Sequence, residues 1–321
     1  MKVLVTGGAG FIGSHLTQSL LKEELEVIVL DDYSTGSKRN LEHLAENRQL
    51  TLIEGSILDL HLVNQIMSGV SECFHLGAAL GVQRILERPF ESLKTNITGT
   101  ENVVQSAAEH GVKLFLASTS ELYGKNPKQP LNEESDRVIG SPSLVRWAYS
   151  EAKAIDESVV EMFKVSNGLR YVTGRFFNTV GPRQSGAYGM VLPRFVQAAI
   201  KGEVLRVFGD GTQSRVFCHV DDAVSAVLAL FKKEGAEGQA FNIGGEEEVT
   251  ISELAERVVR VTGSSSRIEY VSYEDAYPAG FEETMRRVPD TTKLRTLTGW
   301  KPNYTLDEII KDIENYFRSK S

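Results

Sequence analysis

Residues 7–13 read Gly-Gly-Ala-Gly-Phe-Ile-Gly, one residue after the apolar run Val3-Leu4-Val5 and directly before a helical stretch. Gly7, Gly10 and Gly13 are spaced GxxGxxG. Glycines alone would fit any tight β-α turn. Their position between a buried strand and a helix is what gives them meaning. The first makes the turn, the second lets a pyrophosphate approach the backbone, and the third lets helix and strand pack closely. The helix N-terminus then faces the phosphates.

The pattern that follows repeats this unit. Short apolar runs at 27–30, 51–53, 72–76, 113–117 and 169–176 alternate with helical spacing at 13–22, 60–68, 92–110 and 148–165. Such alternation predicts an α/β doubly wound parallel sheet of the Rossmann type. After Gly181-Pro182 the spacing loosens. Helices are expected at 191–202, 221–233, 251–262 and 306–318, with strands at 204–208 and 239–243 and a polar stretch at 272–287. The 321 residues suit two units. The first spans 1–180, with 213–232 returning to it, and a smaller α/β substrate-binding unit occupies most of 181–321.

Asp31 closes the second strand about 20 residues after the turn, where a carboxylate bonds a ribose 2′-hydroxyl and repels a 2′-phosphate. NAD is therefore expected rather than NADP. Asp32 reads equally well as a turn residue. A net charge of −8 argues against a general nucleic-acid binder. No apolar run is long enough for a membrane span. Cys73 and Cys218 make no metal or disulfide pattern, so no metal is expected, and a reducing cytoplasm is the default. Cys218 beside His219 could be imagined as a nucleophile, but a packed small hydrophobe is favoured.

Three further pieces fall at strand ends or on the long helix. Ser118-Thr119-Ser120-Glu121 follows the fifth strand, Asn178 follows the sixth, and Tyr149 and Lys153 lie four apart on helix 148–165. Residues four apart share a helix face. Lys153 there is expected to lower the Tyr149 pKa, so that the phenol can take a proton from a sugar hydroxyl while hydride leaves. Thr119 could donate to the same oxygen.

The segments Thr6–Leu16, Ser118–Gly124 and Tyr149–Lys153 resemble the extended short-chain dehydrogenases/reductases, the nucleotide-sugar epimerases, 4,6-dehydratases and UDP-glucuronate decarboxylases. The resemblance extends through Arg175–Arg183, Val207–Arg215, Arg287-Val288-Pro289-Asp290 and Gly299-Trp300-Lys301-Pro302. It implies NAD contacts from Phe11, Ile12, Ser56, Ile57, Leu76, Ala78, Asn96 and Ser118, although Gly55-Ser56-Ile57 stands where many relatives carry an Asp before the Ile. It implies catalytic roles for Thr119, Glu121, Tyr149 and Lys153. A nucleotide-sugar, most naturally UDP-linked, would be held by Ser120, Arg146, Asn178, Arg215 and Arg287 or Arg286. A homodimer through helices 92–110 and 148–165 is also implied.

The shared opening step is oxidation at sugar C4. Thr119-Ser120-Glu121 carries the Glu of dehydratase loops without their Asp, and it is similar to the decarboxylases. GDP-mannose dehydratases share the triplet, and also an arginine at the place of Arg146, but usually take NADP. UDP-glucuronate decarboxylation therefore ranks first, a UDP-glucose or UDP-glucuronate 4-epimerase second, and a 4,6-dehydratase third. The competing reading of Glu121 is a carboxylate that caps its turn. A sensor that binds without turnover is the non-enzymatic alternative, opposed by the complete Thr119, Tyr149 and Lys153 set. The loop at Gln184-Ser185-Gly186 does not name a substrate.

Overall fold

The computed structural model describes residues 1–79, 88–185, 190–276 and 282–320. Its large sheet is built from β1 (Lys2–Thr6), β2 (Glu26–Asp31), β3 (Leu50–Glu54), β4 (Glu72–His75), β5 (Lys113–Thr119), β6 (Tyr171–Phe176) and β10 (Gln239–Ile243). The strand order is β10-β6-β5-β4-β1-β2-β3, and every neighbouring pair is parallel. This is the predicted doubly wound α/β fold.

Side-chain alternation along each strand feeds two layers. Val3 and Val5 pack with Leu16 and Leu20 of helix α1 (Phe11–Lys22) and with Val224, Val227 and Leu230 of α6 (Val220–Lys232). Leu4, between them, faces the other layer, with Val63 of α2 (Leu60–Met67), Val103 and Val104 of α3 (Pro89–His110) and Val160 of α4 (Ala148–Asn167). Order reverses between β1 and β4: the chain winds outward from β1 to β3, then from β4 to β10. The carboxyl ends of these two strands open the crevice where ligands sit in such sheets.

The smaller unit has a four-stranded sheet in which β9 (Ser214–His219) pairs with β7 (Asn178–Val180), β11 (Glu248–Thr250) and β13 (Arg286–Arg287). A two-stranded sheet joins β8 (Leu205–Phe208) to β12 (Ile268–Val271). Helices α5 (Val191–Lys201), α7 (Ile251–Thr262) and α8 (Leu306–Lys320) close a core around Leu192, Val196, Leu254, Val258, Ile309 and Ile313. Thr250 and Glu253 open α7 with a reciprocal capping box, which satisfies two otherwise orphaned helix donors.

The return to the large unit differs from the expected 213–232. Residues 220–232 do pack as a helix on α1, but 214–219 is the central strand of the smaller sheet, and 239–243 supplies the large sheet's outer strand. Phe241 and Ile243, both fully buried, carry it there. The polar stretch 272–287 contains a short helix, Tyr273–Ala276, and strand β13. Its residues 277–281 lie outside the described residues, as does Gly186 of the Gln184-Ser185-Gly186 loop. Among the described residues no helix is long and apolar enough to cross a membrane.

Candidate active site

A cleft of about 690 Å³ runs along the carboxyl edge of the large sheet and under the smaller unit. Its first half is the glycine turn. Gly7 has φ +68°, and a Cβ there would stand 2.7 Å from the Gly77 nitrogen, so the turns after β1 and β4 touch backbone to backbone. A Cβ on Gly13 would stand 2.1 Å from the Gly7 oxygen. Helix α1 begins after Gly10 with no side-chain cap, so its first N–H groups face the cleft. An uncapped helix start over a side-chain-free turn fits a dinucleotide pyrophosphate. Asp31 lines the same half. Its carboxylate accepts from the Ala9 N–H (2.9 Å) and the Tyr33 N–H (2.8 Å). Burial raises its pKa against those two bonds. These bonds hold the chain at Ala9 and Tyr33 while Asp31 still lines the cleft. Asp32 serves its turn, accepting from the Ser34 N–H.

Phe11, Ile12, Ile57, Leu76, Ala78 and Ser118 line the cleft. Ser56, Asn96 and Arg286 do not. The Ser56 hydroxyl accepts from the Leu58 N–H inside its own turn. Asn96 is buried and clasps the Ala79 backbone through both amide atoms. Arg286 turns outward to Glu248 at 2.7 Å. Neighbouring residues on a strand point to opposite faces, so the choice between Arg286 and Arg287 falls to Arg287.

The second half of the cleft gathers Thr119, Ser120, Glu121, Arg146, Tyr149, Lys153, Asn178, Arg215 and Arg287. The Thr119 hydroxyl accepts from the Glu121 N–H at 3.2 Å and starts the short turn Ser120–Tyr123. Thr119 is the cap, so the Glu121 carboxylate is left to face guanidinium groups. It stands 3.9 Å from Arg146 and 3.6 Å from Arg287. Arg287 donates to Asn178 Oδ1 at 2.8 Å, and its buried Nε has no partner. Asn178 is itself fixed by donating to the Val216 carbonyl. Arg146 lies on the Trp147 ring and donates to the Glu282 carbonyl.

Tyr149 and Lys153 share a face of α4, as the spacing required, but the expected acidification of Tyr149 is reversed. Burial raises the phenol pKa, and the charges of Glu121 and Asp156 add to the rise. The Lys153 ammonium, 2% exposed, is ion-paired with Asp156 at 3.0 Å. A carboxylate that close cancels much of the field that would favour tyrosinate. Asp156 escaped the sequence reading, although its i+3 spacing from Lys153 was visible. Arg183 and Glu283 also line the cleft without having been foreseen. Cys218 is fully buried, and burial raises its thiol pKa, with Asp222 adding to the rise. It is packing, not a nucleophile.

A side-chain-free turn at the switch point, a strand-end threonine and a helix-borne Tyr/Lys pair in one cleft define an NAD-dependent short-chain dehydrogenase/reductase. Comparison with known proteins narrows this: the chain belongs to the GDP-mannose 4,6 dehydratase family, whose model matches residues 4–313. A UDP-N-acetyl-alpha-D-glucosaminuronate decarboxylase of Bacillus cytotoxicus is 40% identical, over 99% of this chain and 98% of that one. UDP-glucuronic acid decarboxylase 1 of Xenopus tropicalis is 34% identical, over 99% of this chain and 72% of that one. Among solved structures, a UDP-glucuronic acid 4-epimerase from Bacillus cereus, in complex with UDP-glucuronic acid and NAD, superposes with a TM-score of 0.89. It is 26% identical over the whole of both chains.

Proposed function

We propose that this protein decarboxylates a UDP-linked uronic acid, glucuronate or N-acetylglucosaminuronate, through a 4-keto sugar. The observation that carries the reading is the Glu121 carboxylate held between Arg146 and Arg287 in the cleft that Tyr149 lines. The names of the Bacillus cytotoxicus and Xenopus relatives support it.

Gly7, Gly10, Gly13 and Asp31 would hold NAD, which would supply the hydride acceptor and donor. Tyr149, once ionised, takes the proton of the C4 hydroxyl, and Thr119 donates a hydrogen bond to the same oxygen. With C4 a ketone, the C5 carboxylate is a β-keto acid. Its C5–C6 bond breaks, carbon dioxide leaves, and the electron pair passes into a C4–C5 enolate. Arg146 holds the carboxylate before it leaves, and Glu121, once protonated, delivers that proton to C5. Arg215, Asn178 and Arg287 bind the diphosphate. Arginine suits it because the planar guanidinium makes paired bonds to phosphate oxygens.

Glu121→Gln tests the assignment. C4 oxidation, read as the absorbance of reduced cofactor, should persist, while formation of the C5-protonated, decarboxylated UDP-sugar falls about 100- to 10,000-fold, the range for removing one acid-base group. Undiminished formation of that product would remove Glu121 from the chemistry.

The protein pairs as a homodimer through α4 in the same reading. Ile155, Met162 and Val165 form one exposed apolar stripe, Val165 at 80% exposure. Exposed apolar stripes of this kind mark docking faces.

A further inference from the structure

Glu282 holds Arg146 by two routes, one through its backbone and one through a shared indole. Its carbonyl accepts from Arg146 Nε. Its carboxylate accepts from Trp147 Nε1 at 3.0 Å, and the Arg146 guanidinium lies 4.7 Å from the centre of that same Trp147 ring. Lys125 grips the carboxylate in turn, its ammonium donating to both oxygens at 2.9 Å. Gly140 closes the cluster. A Cβ there would fall on Trp147 Nε1 and Glu282 Oε2, well inside contact distance, so the indole–carboxylate bond needs a residue without a side chain at 140.

This arrangement fixes which way the guanidinium faces. Its Nε is committed to the Glu282 carbonyl, and its plane lies against the indole. Its Nη1 and Nη2 then stand 3.9 Å from Glu121 and from Glu283, both of which line the cleft. An indole N–H only donates, and a buried one needs its acceptor. Trp147 is buried, so its ring cannot turn without giving up Glu282. The hydrogen bond from Lys125 holds the Glu282 carboxyl below the usual carboxylate range. The two charges cancel side by side and leave little net field at Arg146. What Glu282 supplies is geometry.

We propose that Glu282 is a positioning residue for Arg146, and that the Lys125–Glu282–Trp147 cluster sets the preference of the cleft for a sugar that carries a carboxylate over its neutral counterpart. The inference rests on the reading that Arg146 holds the C5 carboxylate. A guanidinium makes paired bonds to a carboxylate only when its planar fork meets the two oxygens squarely. A neutral hydroxymethyl group makes no such demand. The groups assigned to the diphosphate, Asn178, Arg215 and Arg287, stand on β7, β9 and β13, outside the cluster. Loosening the cluster therefore costs affinity for the uronate and spares the neutral sugar.

The test is calorimetric binding of paired ligands to the NAD-loaded protein, in a Tyr149→Phe background that blocks turnover. The pairs are UDP-glucuronate with UDP-glucose, and UDP-N-acetylglucosaminuronate with UDP-N-acetylglucosamine. Glu282→Ala should weaken the uronate about ten-fold, the lower end of what a hydrogen bond to a charged group is worth, and leave the neutral sugar unchanged. Gly140→Ala removes no charge and should act in the same direction, because its methyl displaces the Trp147–Glu282 bond. Glu282→Gln keeps an oxygen for Trp147 and Lys125 and should restore the preference. Equal losses for the uronate and the neutral sugar would mean that the cluster only holds its loop, and would overturn the proposal. So would a uronate affinity unchanged in both alanine variants. Arg146→Met separates this proposal from the reading beneath it. If that variant binds both sugars as its parent does, Arg146 does not hold the carboxylate, and the reading itself fails. If it loses the uronate while Glu282→Ala and Gly140→Ala keep it, only the role of Glu282 fails.

Discussion

Arg215 Nη2 and Glu283 Oε1 lie 2.7 Å apart inside the cleft, with both side chains largely buried. Glu283 also stands 3.9 Å from Arg146, so one carboxylate balances two guanidinium groups placed to meet an anion. Burial, with Arg287 close by, pushes the Arg215 pKa down to about 10, which Glu283 partly opposes. A diphosphate must compete with Glu283 for Arg215. Glu283→Gln is expected to tighten UDP binding several-fold, about 1 kcal/mol, the size of one modest ion pair. Titration calorimetry at two salt concentrations checks this. Weaker binding would mean that Glu283 orients Arg215 and does not compete for it.

Removing the Tyr149 hydroxyl should separate chemistry from binding. Tyr149→Phe is expected to lose about 100- to 10,000-fold in kcat, the usual worth of a positioned acid-base group. Its affinity for NAD should stay within a few-fold of wild type. Initial rates and fluorescence titration of the cofactor give the two numbers independently.

Gly13 is the least replaceable glycine of the turn. A Cβ there would meet the Gly7 oxygen at 2.1 Å, which is backbone and cannot swing aside. Gly13→Ala should lower stability by about 1–3 kcal/mol, as overpacking does, and weaken NAD binding. Thermal melts with and without NAD test both, and an unchanged melting temperature would contradict the close packing.

His75 makes the fold sensitive to acid. Its folded pKa is about 3, below the ordinary 6.5. The unfolded chain therefore takes up a proton that the folded one refuses. The contribution is fully present above about pH 6.5 and is lost as pH falls toward about 3. The slope is about 1.4 kcal/mol per pH unit where only the unfolded form is protonated. Urea unfolding between pH 7 and pH 5 should show this slope in the wild type and lose it in His75→Asn, in which the buried carboxylates are unchanged.

Much of the cofactor half was legible because its signals are local. Gly7, Gly10, Gly13 and Asp31 belong to one strand-turn-helix-strand unit, and spacing along the chain fixes their places. Tyr149 and Lys153 were legible for the same reason, since four residues make one helical turn. What was not legible depended on neighbours distant in sequence. Arg286 and Arg287 could be told apart only once β13 was seen to pair with β9, which sends them to opposite faces. Ser56 and Asn96, expected as ligand contacts, lie outside the cleft lining and bond to nearby backbone. The acidity of Tyr149 turned on the burial of its phenol, with Glu121 and then Asp156 adding to the rise, and burial needs neighbours from other elements. Glu283 was hidden in a polar stretch with no periodicity, and Arg183 reaches Gln18 of α1 across the cleft.

The apolar stripe on α4 gives a separate test of assembly. Val165→Asp, at a position 80% exposed in the single chain, should leave folding intact and convert a dimer to a monomer by light scattering. A wild-type protein that is monomeric at micromolar concentration would end that part of the reading.

The central claim is decarboxylation. Incubating the protein with NAD and either UDP-glucuronate or UDP-N-acetylglucosaminuronate, followed by mass spectrometry and NMR of the nucleotide-sugar, tests it most directly. The account predicts a UDP-pentose, or its N-acetylated amino-sugar counterpart, lighter by one carbon dioxide, with NAD unchanged at the end. A product of unchanged mass with C4 inverted would contradict it and make the protein an epimerase in which Glu121 only positions the sugar.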